Sequence, residues 1–360
     1  MKPVIHLKQA TPLFLVVLAL TCLWVGSAPK AIGVLPVQSV NVIYSFAGEE
    51  DGEYADTDLE TDSAGNIYGT TVLGGDFGGG TVFRLSPTPN GWVHTVLYSF
   101  TGGADGGEPY KGVTLDREGN LYGSAVTGGS GSCEGGCGVV YKLTNSGGTW
   151  TQSVIHAFTG GDDGSGPGAR VTVDRSGNVY GMTPTGGAYG LGTIYKIHQV
   201  PNGPLTFTVI HTFTGGSDGG SGSAGRMILR KGHLYGAATT GGNYGSGIVF
   251  ELTPRGVGEW HFKTIYSFQG QPDGSFPYGA LLFDRGVIST EPLITAGRTV
   301  SALYTSCLPN LSANGRRGYS IASKTEPTAI APSAISFLMR LATSMGQRVK
   351  VVWVVALSLS

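Results

Sequence analysis

The sequence predicts an all-β fold, a β-propeller-like array of four-stranded blades with a period of about 55 residues, incomplete at the C-terminus. Three observations lead there. Glycine makes up 61 of 360 residues, against ~7% in ordinary proteins, while charged residues are 13% against the usual ~25%. The hydrophobic fraction, 40%, is too high for simple disorder, so the glycines punctuate something packed. A tandem motif then runs through most of the chain. The formal net charge of -1 supplies no broad field for nucleic acid or an anionic membrane, and no strict three-residue glycine period points to collagen.

Residues 1–31 are expected to be a signal peptide. Lys2 and Lys8 precede an uncharged apolar run from Pro12 to Val25, and small residues follow at Gly26, Ser27, Ala28 and Ala31. The run is shorter than the ~20 residues a spanning helix needs, which favours cleavage near Ala28 or Ala31 over an uncleaved anchor. Cys22 raises the alternative of a lipoprotein, although Thr21 is not the usual small residue before it. The expected location is therefore secreted or at the cell surface, with no transmembrane span in the mature chain.

Residues 40–285 form the repeat domain. An aromatic-small-Phe phrase recurs at Tyr44-Ser45-Phe46, Tyr98-Ser99-Phe100, His156-Ala157-Phe158, His211-Thr212-Phe213 and Tyr266-Ser267-Phe268, with successive Phe residues 54, 58, 55 and 55 positions apart. A second phrase follows: Gly65-Asn66-Ile67-Tyr68-Gly69, Gly119-Asn120-Leu121-Tyr122-Gly123, Gly177-Asn178-Val179-Tyr180-Gly181, and the variant Gly232-His233-Leu234-Tyr235-Gly236. Then come a Gly-Gly turn at Gly74, Gly128, Gly186 and Gly241, and an apolar run such as Thr81–Leu85 or Ile248–Leu252.

Each unit reads as four short strands, for example Val96–Phe100, Gly112–Asp116, Asn120–Gly123 and Val139–Leu143, with turn chemistry at Asp116–Gly119. Packing such meanders around an axis buries both faces of each, which favours a propeller over a β-solenoid or a flat array. Tyr68, Tyr122, Tyr180 and Tyr235 are then expected in the packing rather than as ligand stackers.

Phe-Thr-Gly-Gly-x-Asp-Gly, Gly-Asn-Leu-Tyr-Gly and Gly-Thr-Val-Phe-x-Leu at this period resemble the GloVer tandem-repeat family of bacterial exported proteins, over Val40 to Asp284. The resemblance implies a secreted or surface-tethered β-repeat protein whose C-terminus can carry an anchoring signal. It implies no catalytic residues.

The chain leaves the repeat pattern at Gly286. Residues 286–360 hold 5 glycines, seven basic side chains, two Glu and no Asp. Joining the last base of each codon to the first two of the next lets Gly286–Cys307 encode Gly-Asn-Leu-Tyr-Gly-Thr-Thr-x-Tyr-Gly-Gly-Ala-Tyr-Gly-Val-Gly-Thr-Val-Tyr-Glu-Leu, the register of Gly177–Ile197. Gly318–Ser323 permits Val-Leu-Tyr-Ser-Phe, and Leu341–Arg348 permits Gly-Asn-Leu-Tyr-Gly-Thr-Thr. A single-base deletion after Arg285 accounts for all three. On that reading the tail is disordered or poorly packed, Cys307 and Asn310-Leu311-Ser312 are accidents of frame, and the blade beginning near Thr264 lacks its inner partners and exposes an edge.

Chemistry is sparse. Cys133 and Cys137, in Ser-Cys-Glu-Gly-Gly-Cys-Gly, have neither zinc nor C-x-x-C redox spacing, and a local disulfide is expected in an oxidising compartment. The scattered histidines, His6, His94, His156, His198, His211, His233 and His261, lack metal-ligand spacing. No Gly-Lys-Ser/Thr phosphate loop is present. The Gly-Gly-x-Asp-Gly copies at Gly102–Gly106, Gly160–Gly164 and Gly215–Gly219, with Asp51-Gly52 and Asp273-Gly274 as poorer ones, have the composition of calcium loops, but true calcium coils recur every ~9 residues, so a β-turn is favoured. No cofactor is expected. The functional expectation is a non-catalytic scaffold that binds an extracellular ligand, a glycan or a protein, and not nucleic acid. The alternative is a propeller hydrolase or lyase acting on polysaccharide, with Asp162 and Asp163 lining the axis.

Inserting one base after the Arg285 codon is expected to restore two repeat units and to give a more soluble, more protease-resistant product. Limited proteolysis of the two proteins checks this; equal resistance of residues 286–360 in the chain as written would refute it.

Overall fold

In this computed structural model the described residues are 41–284, apart from 200–202, 223–224, 257 and 272, together with strand backbones at 287–290, 304–311, 317–324, 338–339 and 352–353. The expected signal peptide, with His6 and Cys22, lies outside them.

Each of the first three sheets starts from a turn built by an aspartate. Asp62 Oδ1 accepts the backbone N–H groups of Ala64 and Asn66 at 2.9 Å, and Oδ2 accepts the Asn66 amide at 2.7 Å. Asp116 and Asp174 repeat this pattern, as an Asx turn does. The turn folds a short inner strand onto the Asn-x-Tyr-Gly strand. The first sheet runs β1 (Glu60–Thr61), β2 (Ile67–Thr71), β3 (Thr81–Thr88), β4 (Gly91–Ser99), and the second β5 (Thr114–Leu115), β6 (Leu121–Ala125), β7 (Val139–Ser146), β8 (Thr149–Ala157). The third is β9 (Thr172–Val173), β10 (Val179–Thr183), β11 (Thr193–Gln199), β12 (Leu205–Thr212). In the fourth, β13 (Gly220–Gly222) and β14 (Ile228–Arg230) both pair with β15 (His233–Thr240), which leads to β16 (Ile248–Pro254) and β17 (Trp260–Ser267). Neighbouring strands are antiparallel throughout these sheets. The fold is thus all-β, a propeller-like series of meanders.

The phase of the repeat differs from the expectation. Val96–Ser99 ends the first sheet rather than opening the second, because two-residue loops at Pro89-Asn90 and Gly147-Gly148 close β3–β4 and β7–β8 as tight hairpins. Thr101–Val113 is instead the crossing between sheets. The same correction applies near Thr264: β17 is the outer strand of a complete fourth sheet, paired along its length with β16. A fifth sheet begins at β18 (Leu281–Asp284) and continues through β19 (Val287–Thr290), β20 (Tyr304–Leu311) and β21 (Arg317–Lys324). The side chains of β19 to β21 lie outside the described residues, as does most of the expected out-of-frame tail, so Cys307 is placed only as backbone, opposite Ile288.

Hydrophobic clusters span consecutive sheets. Val82, Leu97 and Phe100 of the first pack with Val113, Leu121, Tyr141 and Leu143 of the second; Tyr122, Val140 and Phe158 pack with Val171, Val179, Tyr195 and Ile197 of the third. Tyr180, Met182, Ile194 and Phe213 join Met227, Leu234, Phe250 and Leu252. A β-bulge at one place in each of the first four sheets accompanies this packing. The register shifts at Val82/Phe83, Val140/Tyr141, Ile194/Tyr195 and Val249/Phe250, leaving Leu97, Ile155, Ile210 and Ile265 as the extra residue. All four are apolar and pack into the clusters.

The last glycine of Gly-Asn-x-Tyr-Gly has a steric reason. A Cβ on Gly69 or Gly236 would lie 2.6 or 2.5 Å from the tip of Phe83 or Phe250, and one on Gly123 or Gly181 would lie 2.3 or 2.1 Å from the hydroxyl of Tyr141 or Tyr195. Both tyrosines are 0% exposed, and their hydroxyls have no hydrogen-bond partner. Burial pushes the ionisation of both far up.

Tyr141→Phe and Tyr195→Phe are therefore expected to stabilise the protein by about 1–2 kcal/mol each, since each removes an unsatisfied buried hydroxyl and copies Phe83 and Phe250. Urea denaturation measures this; a loss of stability would mean that the hydroxyls have partners.

Candidate functional site

The Gly-Gly-x-Asp-Gly aspartates lie in the crossings between sheets. Asp105 Oδ2 accepts Tyr98 Oη–H and the Thr101 N–H, both at 2.9 Å, and Oδ1 accepts the Thr101 hydroxyl. Asp163 takes the equivalent bonds from Thr159, with His156 Nε2 at 3.1 Å, and Asp218 does so from Thr214 and His211, also at 3.1 Å. Asp51 is held by Tyr44 and the Ala47 N–H, and Asp273 by Tyr266 and the Gln269 N–H. The link joins residues seven apart in all five copies, tying the aromatic of the aromatic-small-Phe phrase to the next turn. That spacing was present in the sequence, and it explains why Tyr and His exchange there: both can donate to a carboxylate.

The electrostatics follow. Burial raises the Asp105 carboxyl, but hydrogen bonds from Thr101 and Tyr98 outweigh it and hold it below the ordinary range. Tyr98 is pushed up to about 12 by burial first and then by Asp105. Burial holds His156 and His211 below the ordinary histidine value, with Asp163 and Asp218 pulling the other way. Among the described residues no group of three His, Cys, Asp or Glu side chains is arranged to hold a metal ion.

The hairpin aspartates also receive the core tyrosines: Tyr68 donates to Asp62 at 3.0 Å and Tyr180 to Asp174 at 3.2 Å. Lys142 and Lys196 lie over the Tyr122 and Tyr180 rings. The fourth sheet lacks the aspartate. Its turn is Lys231-Gly232 with φ of 51° and 82°, a type I′ geometry, and Glu251 stands on β16 where Lys142 and Lys196 stand on their strands. Glu251 then accepts Tyr235 Oη–H at 2.8 Å and pairs with His233 at 2.7 Å. The carboxylate has moved to the neighbouring strand, but the tyrosine keeps its acceptor.

A third cluster joins the inner strands. Arg170 is 5% exposed; its Nε donates to Thr114 Oγ1 at 3.1 Å and its Nη2 pairs with Glu60, linking three sheets. Arg226 is held below the usual arginine range by burial and then by Arg170, against the pull of Glu60 and Asp58. Two guanidinium groups balance two carboxylates here. Asp162 and Asp163, expected at the axis on the enzymatic alternative, lie in the crossing turn, where Asp163 is bound to its own loop.

Cys133 and Cys137 are bonded, with Cα atoms 5.0 Å apart, in the connection between β6 and β7. In the other sheets this connection is the Gly-Gly-x-aromatic turn, and Phe77, Tyr189 and Tyr244 at its tip are 64%, 63% and 58% exposed. Two shallow open grooves lie beside two of these rings. One, of about 590 Å³, is lined by Glu50, Asp51, Asp76, Phe77 and the end of β4; the other, of about 630 Å³, by Ser217, Asp218, Asn243, Tyr244 and the end of β17. All eight residues of the first groove have a counterpart in the second, which adds Phe262 and Gln269. These aromatics were not among the residues expected from the sequence, although their shared offset from the Gly-Gly turn is legible there.

Fold and sites together define a tandem β-repeat protein whose motif residues mostly build its own turns. The profile of the Gloeobacter/Verrucomicrobia repeat matches residues 88–290, and the chain belongs to that family. No curated protein sequence matches it. Among solved structures it is similar to a putative oxidoreductase (glucose dehydrogenase) of Thermus thermophilus, at 15% identity and a TM-score of 0.42, covering 78% of this chain and 86% of that one. It is also similar to an α-L-arabinofuranosidase of Clostridium thermocellum, at 10% identity and TM-score 0.38 over 73% and 92% of the two chains. An exo-1,5-α-L-arabinanase from a bovine ruminal metagenomic library gives 9% identity and TM-score 0.39 over 77% and 99%.

Because their folded values lie below the unfolded ~6.5, His156 and His211 contribute stability that is fully present above that pH and is lost as the pH falls through and below it. The double variant His156→Tyr, His211→Tyr, which copies Tyr98, is expected to flatten the loss of Tm between pH 7.5 and 5. An unchanged slope would assign the dependence to other groups.

Proposed function

We propose that this protein is an exported, non-catalytic scaffold that binds an extracellular ligand through its sheet surfaces. The observation that carries the reading is the recurrence of an open, aromatic-rimmed groove at equivalent positions of the first and fourth sheets. Each groove falls within the ~300–1,000 Å³ typical of small-ligand sites, and tandem copies favour multivalent attachment. The basic, apolar and small-residue order of residues 1–31 and the bonded Cys133–Cys137 pair support an oxidising, exported setting. No described helix is long and apolar enough to cross a membrane.

The frameshift belongs to the same reading: the family match runs to residue 290, five positions past Arg285. The gene from which this chain derives encodes further repeat units in the shifted frame.

Incubation of the full chain with plant and bacterial polysaccharides should give retention on the polymer without new reducing ends or unsaturated products. Sustained turnover by the purified protein would overturn the non-catalytic reading.

A further inference from the structure

We infer that Phe77, Tyr189 and Tyr244 are stacking platforms for the sugar rings of a neutral polysaccharide, one per blade; the inference rests on the binding reading above. All three sit third after the first glycine of the Gly-Gly turn between the second and third strands of their sheets, at 74–77, 186–189 and 241–244. Each is more than half exposed, whereas the Phe and Tyr rings on the adjacent β3, β11 and β16, namely Phe83, Tyr195 and Phe250, are buried to within 1%. Packing therefore gives no account of the exposed rings. A turn also needs no aromatic at its tip, since Gly74 and Gly75, Gly186 and Gly187, and Gly241 and Gly242 supply the positive φ that shapes it. The second sheet replaces this turn with the loop closed by Cys133–Cys137, so the rings mark three of the first four blades.

The surroundings select the ligand. The rings sit on three different turns, one in each of three sheets. The groove beside Phe77 sets apolar side chains beside Glu50, Asp51, Asp76 and Ser99, and the groove beside Tyr244 sets them beside Ser217, Asp218, Asn243 and Gln269. No lysine or arginine lines either groove, which disfavours uronate, phosphate or sulfate and favours an uncharged polyol. A sugar ring matches such a site because its C–H face is apolar and weakly positive, suited to the negative face of an aromatic ring, while its rim carries hydroxyls for the flanking polar groups. The shifted frame after Arg285 again permits Gly-Gly-Ala-Tyr-Gly, which places a further ring at the same offset.

Affinity electrophoresis of the full chain through gels containing arabinan, xyloglucan, galactomannan or dextran tests this. The wild type should be retarded by at least one polymer. Phe77→Ala, Tyr189→Ala and Tyr244→Ala should each weaken binding roughly 2- to 12-fold, the worth of one aromatic stack, and the triple variant should migrate as in a blank gel. Tyr244→Phe should bind as wild type, because the ring and not the hydroxyl is required. Circular dichroism and Tm serve to establish that the variants fold; the exposure of the three positions predicts unchanged values. Equal retardation of wild type and triple variant, or no retardation by any polymer, overturns the glycan assignment. A parallel assay separates that outcome from failure of the binding reading: retention on envelope fragments that survives periodate oxidation keeps the scaffold and removes the sugar, whereas no retention on fragments or polymers removes both.

Discussion

The contact on which the rest of the structure depends is an aromatic ring whose tip reaches over a glycine of the adjacent strand. Phe83 on Gly69, Tyr141 on Gly123, Tyr195 on Gly181 and Phe250 on Gly236 repeat it in each complete sheet. With no Cβ beneath it, the ring occupies space that a side chain would otherwise take, so strands such as β6 and β10 are buried at every residue. Each ring then meets the Phe of the preceding aromatic-small-Phe phrase, as Tyr141 meets Phe100 at 4.9 Å and Tyr195 meets Phe158 at 5.3 Å, and neighbouring sheets share one hydrophobic cluster. Because a ring needs its partner sheet, no unit can bury its aromatic surface alone.

Carboxylates do the complementary work at the sheet ends. Those at Asp62, Asp116 and Asp174 close hairpins, and those at Asp105, Asp163 and Asp218 bind the crossing turns to an aromatic seven residues earlier. Composition alone made these loops resemble calcium sites. Their oxygens are instead occupied by N–H and O–H donors of the same loop, and the carboxyls of Asp62 and Asp105 are held low by those bonds despite burial. The fourth sheet keeps the rule while changing the residues, since Glu251 supplies from β16 the oxygen that a hairpin aspartate supplies elsewhere. What is maintained is an acceptor for a half-buried tyrosine hydroxyl.

The proposed binding function falls to positions these constraints leave free. Phe77, Tyr189 and Tyr244 are carried on turns whose glycines already meet the backbone requirement, so their identity is open to selection by a ligand. The disulfide loop occupies the same connection in the second sheet, where it trades a ring for a covalent brace.

The all-β repeat, its period and the disulfide partners were legible in the sequence, because alternation, turn glycines and cysteine spacing are local properties of the chain. The core placement of Tyr68, Tyr122 and Tyr180 was legible for the same reason. The grouping of strands into sheets was not: Val96–Ser99 precedes one sheet in sequence but belongs to the one before it, and only the hairpin pairing of β3 with β4 decides that. Nor could the sequence bring Arg170 to Glu60 across 110 residues, or show that the ring of Tyr244 meets solvent. Burial is a property of what the neighbouring sheet covers, and that is settled when the sheets pack.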